Sequence, residues 1–218
     1  MTTPSLDPTR TAAVAIDMHR GHLDPAVATM PIPADRAAAV VARTAALFAE
    51  LRRLSVPIIH IVTANRDVTE IASNPFWKAI ANDPSKARNT ALRHNLIGGP
   101  GTEIMPALRD PRDIVVFGKK RYSSYHATDL EFVLRSRGIE TVILTGINTT
   151  SCVLCAAFDS TNRDFRVIIA RDAVDSMDGP EMHEFALRLM GATCGWPLTN
   201  AEIVRAFAAR TPKAAVAD

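Results

Sequence analysis

Apolar residues fall in five nearly continuous runs, at 12–18, 57–63, 113–119, 141–146 and 166–173, rich in Val, Ile and Ala. Continuous rather than alternating hydrophobicity is how strands covered on both faces read, because neither row of side chains meets water. Between the runs the period becomes helical. Over 33–54, Val40, Leu47, Leu51 and Leu54 share one face, and Pro33 suits the first turn. Thr128-Asp129-Leu130-Glu131 spells a capping box, with Gly138 in the C-cap position of the helix it would open. Further helices are predicted over about 150–163, from Pro180 to about 190, and after a second capping box at Thr199-Asn200-Ala201-Glu202. A short sixth strand is predicted at 194–198.

This alternation predicts an α/β fold: a three-layer, Rossmann-like sandwich with a mostly parallel sheet of about six strands and helices on both faces. A single domain is expected over 1–218. The stretch 64–101, rich in Asn, Pro and Gly and weakly periodic, is long for a loop and suggests a lid-like insertion. Phe76 and Trp77 are candidates for lining a pocket there, against the plainer reading of core or dimer-interface packing. The chain after about 210 reads as a frayed tail.

Composition narrows the partners. The 218 residues carry 25 basic and 23 acidic side chains, interspersed, for a net charge of +2. No basic block points to nucleic acid or an anionic membrane, and no apolar run approaches spanning length. Three cysteines (Cys152, Cys155, Cys194) are too few for a disulfide scaffold, and the first ten residues lack a signal-peptide layout. A soluble, cytoplasmic protein acting on a small molecule is the expectation.

Open parallel sheets bind ligands beyond the carboxyl ends of their strands, and three reactive groups stand there. Asp17 ends the first strand, Lys119 ends the third, and Cys152 follows the fourth at the start of a helix. Taken alone, such an Asp is most often a cap, such a Lys solvated and such a Cys inert. Together they are an acid, a cation and a nucleophile at one rim, and a helix N-terminus favours a thiolate.

The runs Gly118-Lys119-Lys120-Arg121-Tyr122-Ser123-Ser124-Tyr125, Thr128-Asp129-Leu130 and Gly146-Ile147-Asn148-Thr149-Thr150-Ser151-Cys152-Val153 resemble the isochorismatase-like cysteine hydrolase family, and Asp172-Ala173 matches a later family dipeptide. The resemblance spans about 12–207. It implies an isochorismatase-like fold and an Asp17–Lys119–Cys152 triad, with Lys120 the spacer before the family arginine. It further implies cleavage of a carbon–nitrogen bond in a small amide, ureido compound or lactam through a thioester on Cys152. The backbone N–H groups of Asn148 and Cys152 would hold the oxyanion, after a cis Ile147–Asn148 peptide. No cofactor is implied, and family members are commonly homo-oligomers, dimers or tetramers.

Some positions depart from the family. His19 stands where many members have glutamine, and with His22 and Asp24 it could be read as a metal site. Histidines at a pocket mouth need no metal, so none is expected. The nicotinamidase branch binds metal through an Asp-x-His run after the second strand. Here that place reads Thr63-Ala64-Asn65-Arg66-Asp67, which disfavours that activity. Isochorismatases proper cleave a vinyl ether and lack this cysteine, so Cys152 argues for amide chemistry. Candidate substrate contacts are His19, Arg66, Phe76, Trp77, Arg121 and Tyr125, with Arg66 or Arg121 anchoring a carboxylate. His126 and His183 read as structural or surface residues. A competing reading takes Cys152-Val153-Leu154-Cys155 as the C-x-x-C of a thiol-disulfide oxidoreductase, which would leave Asp17 and Lys119 without a role.

Overall fold

The structure is a computed structural model that describes residues 3–208. Its six strands are β1 (Thr11–Ile16), β2 (Ile58–Thr63), β3 (Ile114–Lys119), β4 (Thr141–Ile147), β5 (Arg166–Asp175) and β6 (Trp196–Leu198). The helices are α1 (Arg20–Leu23), α2 (Ala34–Arg53), α3 (Val68–Ala72), α4 (Pro75–Ile80), α5 (Leu130–Ser136), α6 (Cys152–Thr161), α7 (Pro180–Thr193) and α8 (Asn200–Ala208). The strands form one sheet in the order β3-β2-β1-β4-β5-β6, every pair parallel. The chain winds outward from β1 through β2 to β3, then returns to the other flank of β1 as β4. The direction of winding reverses between β1 and β4, and their carboxyl ends frame the crevice where such sheets bind ligands.

Side chains alternate across the sheet. On β1, Ala13 and Ala15 join one core with Leu47, Phe48 and Leu51 of α2 and Ile203 and Phe207 of α8. Ala12, Val14 and Ile16 join the other with Val133 and Leu134 of α5, Val153 and Ala157 of α6, and Leu187 and Met190 of α7. Each fully buried large side chain contributes about 1.5–3 kcal/mol, so the two cores fix the sheet as the middle of three layers.

Three local expectations are revised. The run at 113–119 is an edge strand: one face of β3 leaves Val115 and Phe117 half exposed, so it is not covered on both sides. Pro33 is the N-cap of α2 rather than a first-turn residue, and its carbonyl accepts from Ala37 N–H. The Thr128–Glu131 capping box does not form, because Glu131 pairs with Arg163 at 2.9 Å. The second box does: Thr199 N–H donates to Glu202 at 2.8 Å and Glu202 N–H to Thr199 Oγ1 at 3.2 Å. Gly138 ends α5 in the left-handed region at φ 64°. The irregular stretch 64–101 holds α3 and α4, capped by the side chains of Asp67 and Asn74. The tail after 210 lies outside the described residues.

Candidate active site

Gly146 brings the two sides of the crevice together. It sits opposite Ile16 with φ 109°, and a Cβ there would lie 2.0 Å from the Ile16 carbonyl oxygen. Only glycine permits this approach. Beyond it the Ile147–Asn148 peptide is cis. The Asn148 carbonyl accepts from Ser151 and Val153 N–H, and its side-chain oxygen accepts from Met177 N–H at 2.9 Å. This fixes the turn that presents Cys152 as the first residue of α6, where backbone N–H groups have no intrahelical partner.

Asp17, Lys119 and Cys152 meet in the crevice, all buried. Lys119 Nζ donates to Asp17 Oδ2 at 2.7 Å and lies 3.4 Å from Cys152 Sγ. Thr63, at the end of β2, completes the cluster. Its hydroxyl donates to Asp17 Oδ1 at 2.8 Å and accepts from Lys119 Nζ at 2.9 Å, and its N–H reaches the same carboxylate at 3.2 Å. The neighbouring Lys120 stays out of the cluster, pairing with Glu70 at 2.8 Å.

Burial disfavours the Asp17 carboxylate, but the Lys119 ammonium and then His19 hold it well below the usual carboxylate range. Burial also opposes the Lys119 charge; Asp17 and Cys152 outweigh it and raise its pKa. Burial pushes the Cys152 thiol up to about 12, with Lys119 pulling down and Asp17 pushing up. The resting cluster is therefore a carboxylate, an ammonium and a neutral thiol. Moving the thiol proton to Asp17 shifts the anion from one neighbour of Lys119 to another, so the ammonium keeps an anionic partner throughout.

A cavity of about 520 Å³, including its open mouth, reaches all three groups. Met30, Ile71, Trp77, Ala91 and Tyr122 give it apolar walls, and Arg88, Lys120 and Arg121 ring it with cations. Arg88 is held by Asp178 through two bonds of 2.6 and 2.8 Å, and Lys120 by Glu70. Arg121 stacks over Trp77 at 5.2 Å and donates to the Glu70 and Lys120 carbonyls and Ser73 Oγ, all neutral acceptors.

Of the residues singled out for substrate contact, Trp77 and Arg121 line this cavity. The other four, Arg66, Phe76, Tyr125 and His19, do not, and correct the sequence reading. Arg66 projects into solvent beside Glu70. Phe76 is 60% exposed on the outer side of α4. Tyr125 is buried in the core with its hydroxyl 2.8 Å from Ser160. His19 is buried with Nε2 3.6 Å from Asp17 Oδ1. His126 is exposed, and half-buried His183 meets Thr149 at 3.1 Å. Thr63, Arg88 and His94 carried no motif, because long-range folding alone brings them here.

His19, His22 and His94 form a buried cluster, their rings 4.3–5.7 Å apart between centroids. Burial holds His22 near a pKa of about 3, and holds His94 well below the ordinary histidine value. Asp24, grouped with His19 and His22 on sequence, instead pairs with Arg20 at 2.7 Å.

The second cysteine of the C-x-x-C is turned to other work. Cys155 Sγ lies 3.6 Å from Asp159, and burial followed by that carboxylate pushes its thiol up to about 11. Dithiol oxidoreductases need the opposite shift.

An all-parallel doubly wound sheet with a paired acid and cation beside a buried thiol at its switch point is an α/β fold with a candidate active site in its crevice. The isochorismatase domain model matches residues 11–202, and the chain belongs to that family. It is 26% identical to a ureidoacrylate amidohydrolase of Methylobacterium radiotolerans over 88% of this chain and 77% of that one. It is also 26% identical to a maleamate amidohydrolase of Pseudomonas putida, over 75% of this chain and 71% of that one. Among solved structures, a cysteine hydrolase from Pseudomonas syringae pv. phaseolicola superposes with a TM-score of 0.77 at 24% identity, covering 95% and 99% of the two chains. These relatives place the protein among hydrolases of carbon–nitrogen bonds. No helix among the described residues is long and apolar enough to cross a membrane.

Proposed function

We propose that the protein cleaves the C–N bond of a small linear amide or ureido acid through a thioester on Cys152. The observation that carries this is one ammonium, Lys119 Nζ, in contact with both the Asp17 carboxylate at 2.7 Å and the Cys152 sulfur at 3.4 Å. Asp17 takes the thiol proton and the thiolate adds to the carbonyl carbon. The oxyanion rests on the backbone N–H groups of Asn148 and Cys152, each such donor typically worth roughly 10²–10³ in rate. Asp17 passes its proton to the departing nitrogen, leaving a thioester and an amine or ammonia. A water molecule then gives a proton to Asp17 and its oxygen to the acyl carbon, and the thiolate leaves and recovers the proton.

Arg121 is the cation on the cavity that would take a substrate carboxylate, since its own acceptors are neutral whereas Arg88 and Lys120 face carboxylates. The substrate class is therefore an acid amide. The exposed side chains of Phe132, Phe158 and Phe185 support a homo-oligomer in solution, a dimer or tetramer, and a cytoplasmic location fits the three free cysteines.

The test is ammonia or amine release from a panel of small amides, ureido acids and lactams. Cys152→Ala is expected to abolish turnover, Cys155→Ala to keep most of it, and Arg121→Ala to raise KM chiefly for the acidic substrates. Mass spectrometry of the quenched wild-type reaction should find the acyl group on Cys152. Turnover by Cys152→Ala, or equal loss from both cysteine variants with disulfide reductase activity, would overturn the assignment.

A further inference from the structure

Beside the hydrolytic cluster, three imidazoles from two distant segments converge on one point. We propose that His19, His22 and His94 bind one divalent transition-metal ion of the Zn²⁺ or Co²⁺ kind, with an open coordination position toward the cavity. One ring nitrogen from each lies within 4.8 Å of the others, and all three residues are buried. Tetrahedral zinc takes imidazole nitrogens at about 2.0–2.1 Å, which puts ligands roughly 3.3 Å apart, so modest side-chain rotation closes the set.

The outer partners of His22 and His94 match what ligating histidines need, while His19 Nε2 lies 2.8 Å from the Asn95 side-chain amide, which a bound ion would displace. His22 Nδ1 donates to the Met30 carbonyl at 2.7 Å, which leaves Nε2 with its lone pair. His94 Nδ1 lies 2.9 Å from Thr29 Oγ1, and its Nε2 is buried with no hydrogen-bond partner. A ligating imidazole typically bonds through its other nitrogen to just such a carbonyl or polar group, which fixes the ring. Both anchors, Thr29 and Met30, belong to one loop. Three imidazole nitrogen donors select zinc, cobalt, nickel or copper over magnesium or calcium. His22 and His94 also line the cavity that reaches Cys152, which gives the ion an entry path and a free position. The ligands come from the turn after β1 and the stretch ahead of β3; Asn65, Arg66 and Asp67 after β2 contribute none.

The experiment uses the full-length protein, stripped with a chelator, dialysed and titrated with Co²⁺. Metal retained after gel filtration is counted by mass spectrometry, and coordination is read from the visible absorption of the bound cobalt. One equivalent with the intense bands of a low-coordinate site is expected. His22→Ala and His94→Ala should each weaken binding more than the ~10–100-fold typical of losing an outer-shell partner, and Thr29→Val by an amount within that range. Cys152→Ala and the exposed His126→Ala should bind as the wild type does. Failure of the wild type to retain stoichiometric metal overturns the site without recourse to any variant. So does binding that survives both histidine substitutions, or that disappears with Cys152. The readout is binding, so it stands or falls apart from the hydrolytic reaction.

Discussion

Two buried polar clusters share one cavity, and they meet the cost of burial in opposite ways. Around Asp17 and Lys119 the charges are kept and balanced, with Thr63 and Cys152 filling the remaining bonds. In the imidazole cluster formal charge is avoided at His22 and His94, whose protonated forms burial disfavours, and His94 Nε2 has no partner. A satisfied ion pair already has its counter-charge, whereas a set of converging neutral donors is built to receive something. The first cluster should thus be brittle to the loss of one member, and the second tolerant.

The largest effect is expected for Lys119→Met. It leaves the Asp17 carboxylate buried without its cation, and breaking such a pair costs about 3–5 kcal/mol. Urea unfolding at pH 7 should show that loss, together with disappearance of amide hydrolysis. Asp17→Asn combined with Lys119→Met removes both charges and should recover most of the stability while activity stays absent. A double variant no more stable than the single one would break the contrast at its root.

Acid should separate the clusters by pH window in the metal-free protein. The folded pKa of His22 is lowered to about 3, so the unfolded chain protonates first, near pH 6.5. Its stability contribution is fully present above about pH 6.5 and is lost as pH falls toward 3, at up to roughly 1.4 kcal/mol per pH unit. His94, shifted the same way, adds to that slope. Asp17 is also depressed, but its contribution is complete above the unfolded carboxylate pKa of about 3.9 and is lost only below it. Urea midpoints should therefore fall between pH 6.5 and 4 through the histidines. His22→Gln should flatten that window and leave the decline below pH 4 in place. An unchanged slope would mean the histidines are not held neutral.

The two clusters also differ in how far they could be read from sequence. Asp17, Lys119 and Cys152 each end or follow a strand, so parallel-sheet topology alone puts them at one rim. Thr63 ends a strand too, yet a threonine there carries no chemical signal until its hydroxyl is seen between the carboxylate and the ammonium. His94 lies in the stretch 64–101, where no periodicity predicts direction, so its meeting with His19 depends on packing that only the fold supplies. The same limit applied elsewhere. Thr199-Asn200-Ala201-Glu202 capped its helix as spelled, whereas Glu131 was drawn off by Arg163, which is distant in sequence. Local spelling holds where no long-range partner competes.

Thr63→Val tests how much of the charged cluster depends on its neutral member. The substitution keeps the shape and removes a hydroxyl bonded to both charges, and such bonds contribute about 1.5–3 kcal/mol. Denaturation should show a loss in that range. The rate should fall about 10–100-fold, equivalent to roughly 1.4–2.7 kcal/mol of barrier, because Asp17 is no longer held toward Cys152. Activity that drops with no change in stability would assign the hydroxyl to substrate rather than to the ion pair.

The smallest effect is expected on the neutral side. His94→Leu deletes an imidazole with one unpartnered nitrogen and one bond to Thr29, whose hydroxyl is only partly buried and can turn to water. Replacing a buried polar group that is half satisfied by an apolar one of similar size is close to neutral. In metal-free protein at pH 7 the unfolding free energy should therefore move by less than about 1 kcal/mol. A loss of the size expected for Lys119→Met would mean that the imidazoles support the fold by themselves, as the ion pair does, and the division between a satisfied cluster and a receptive one would fail.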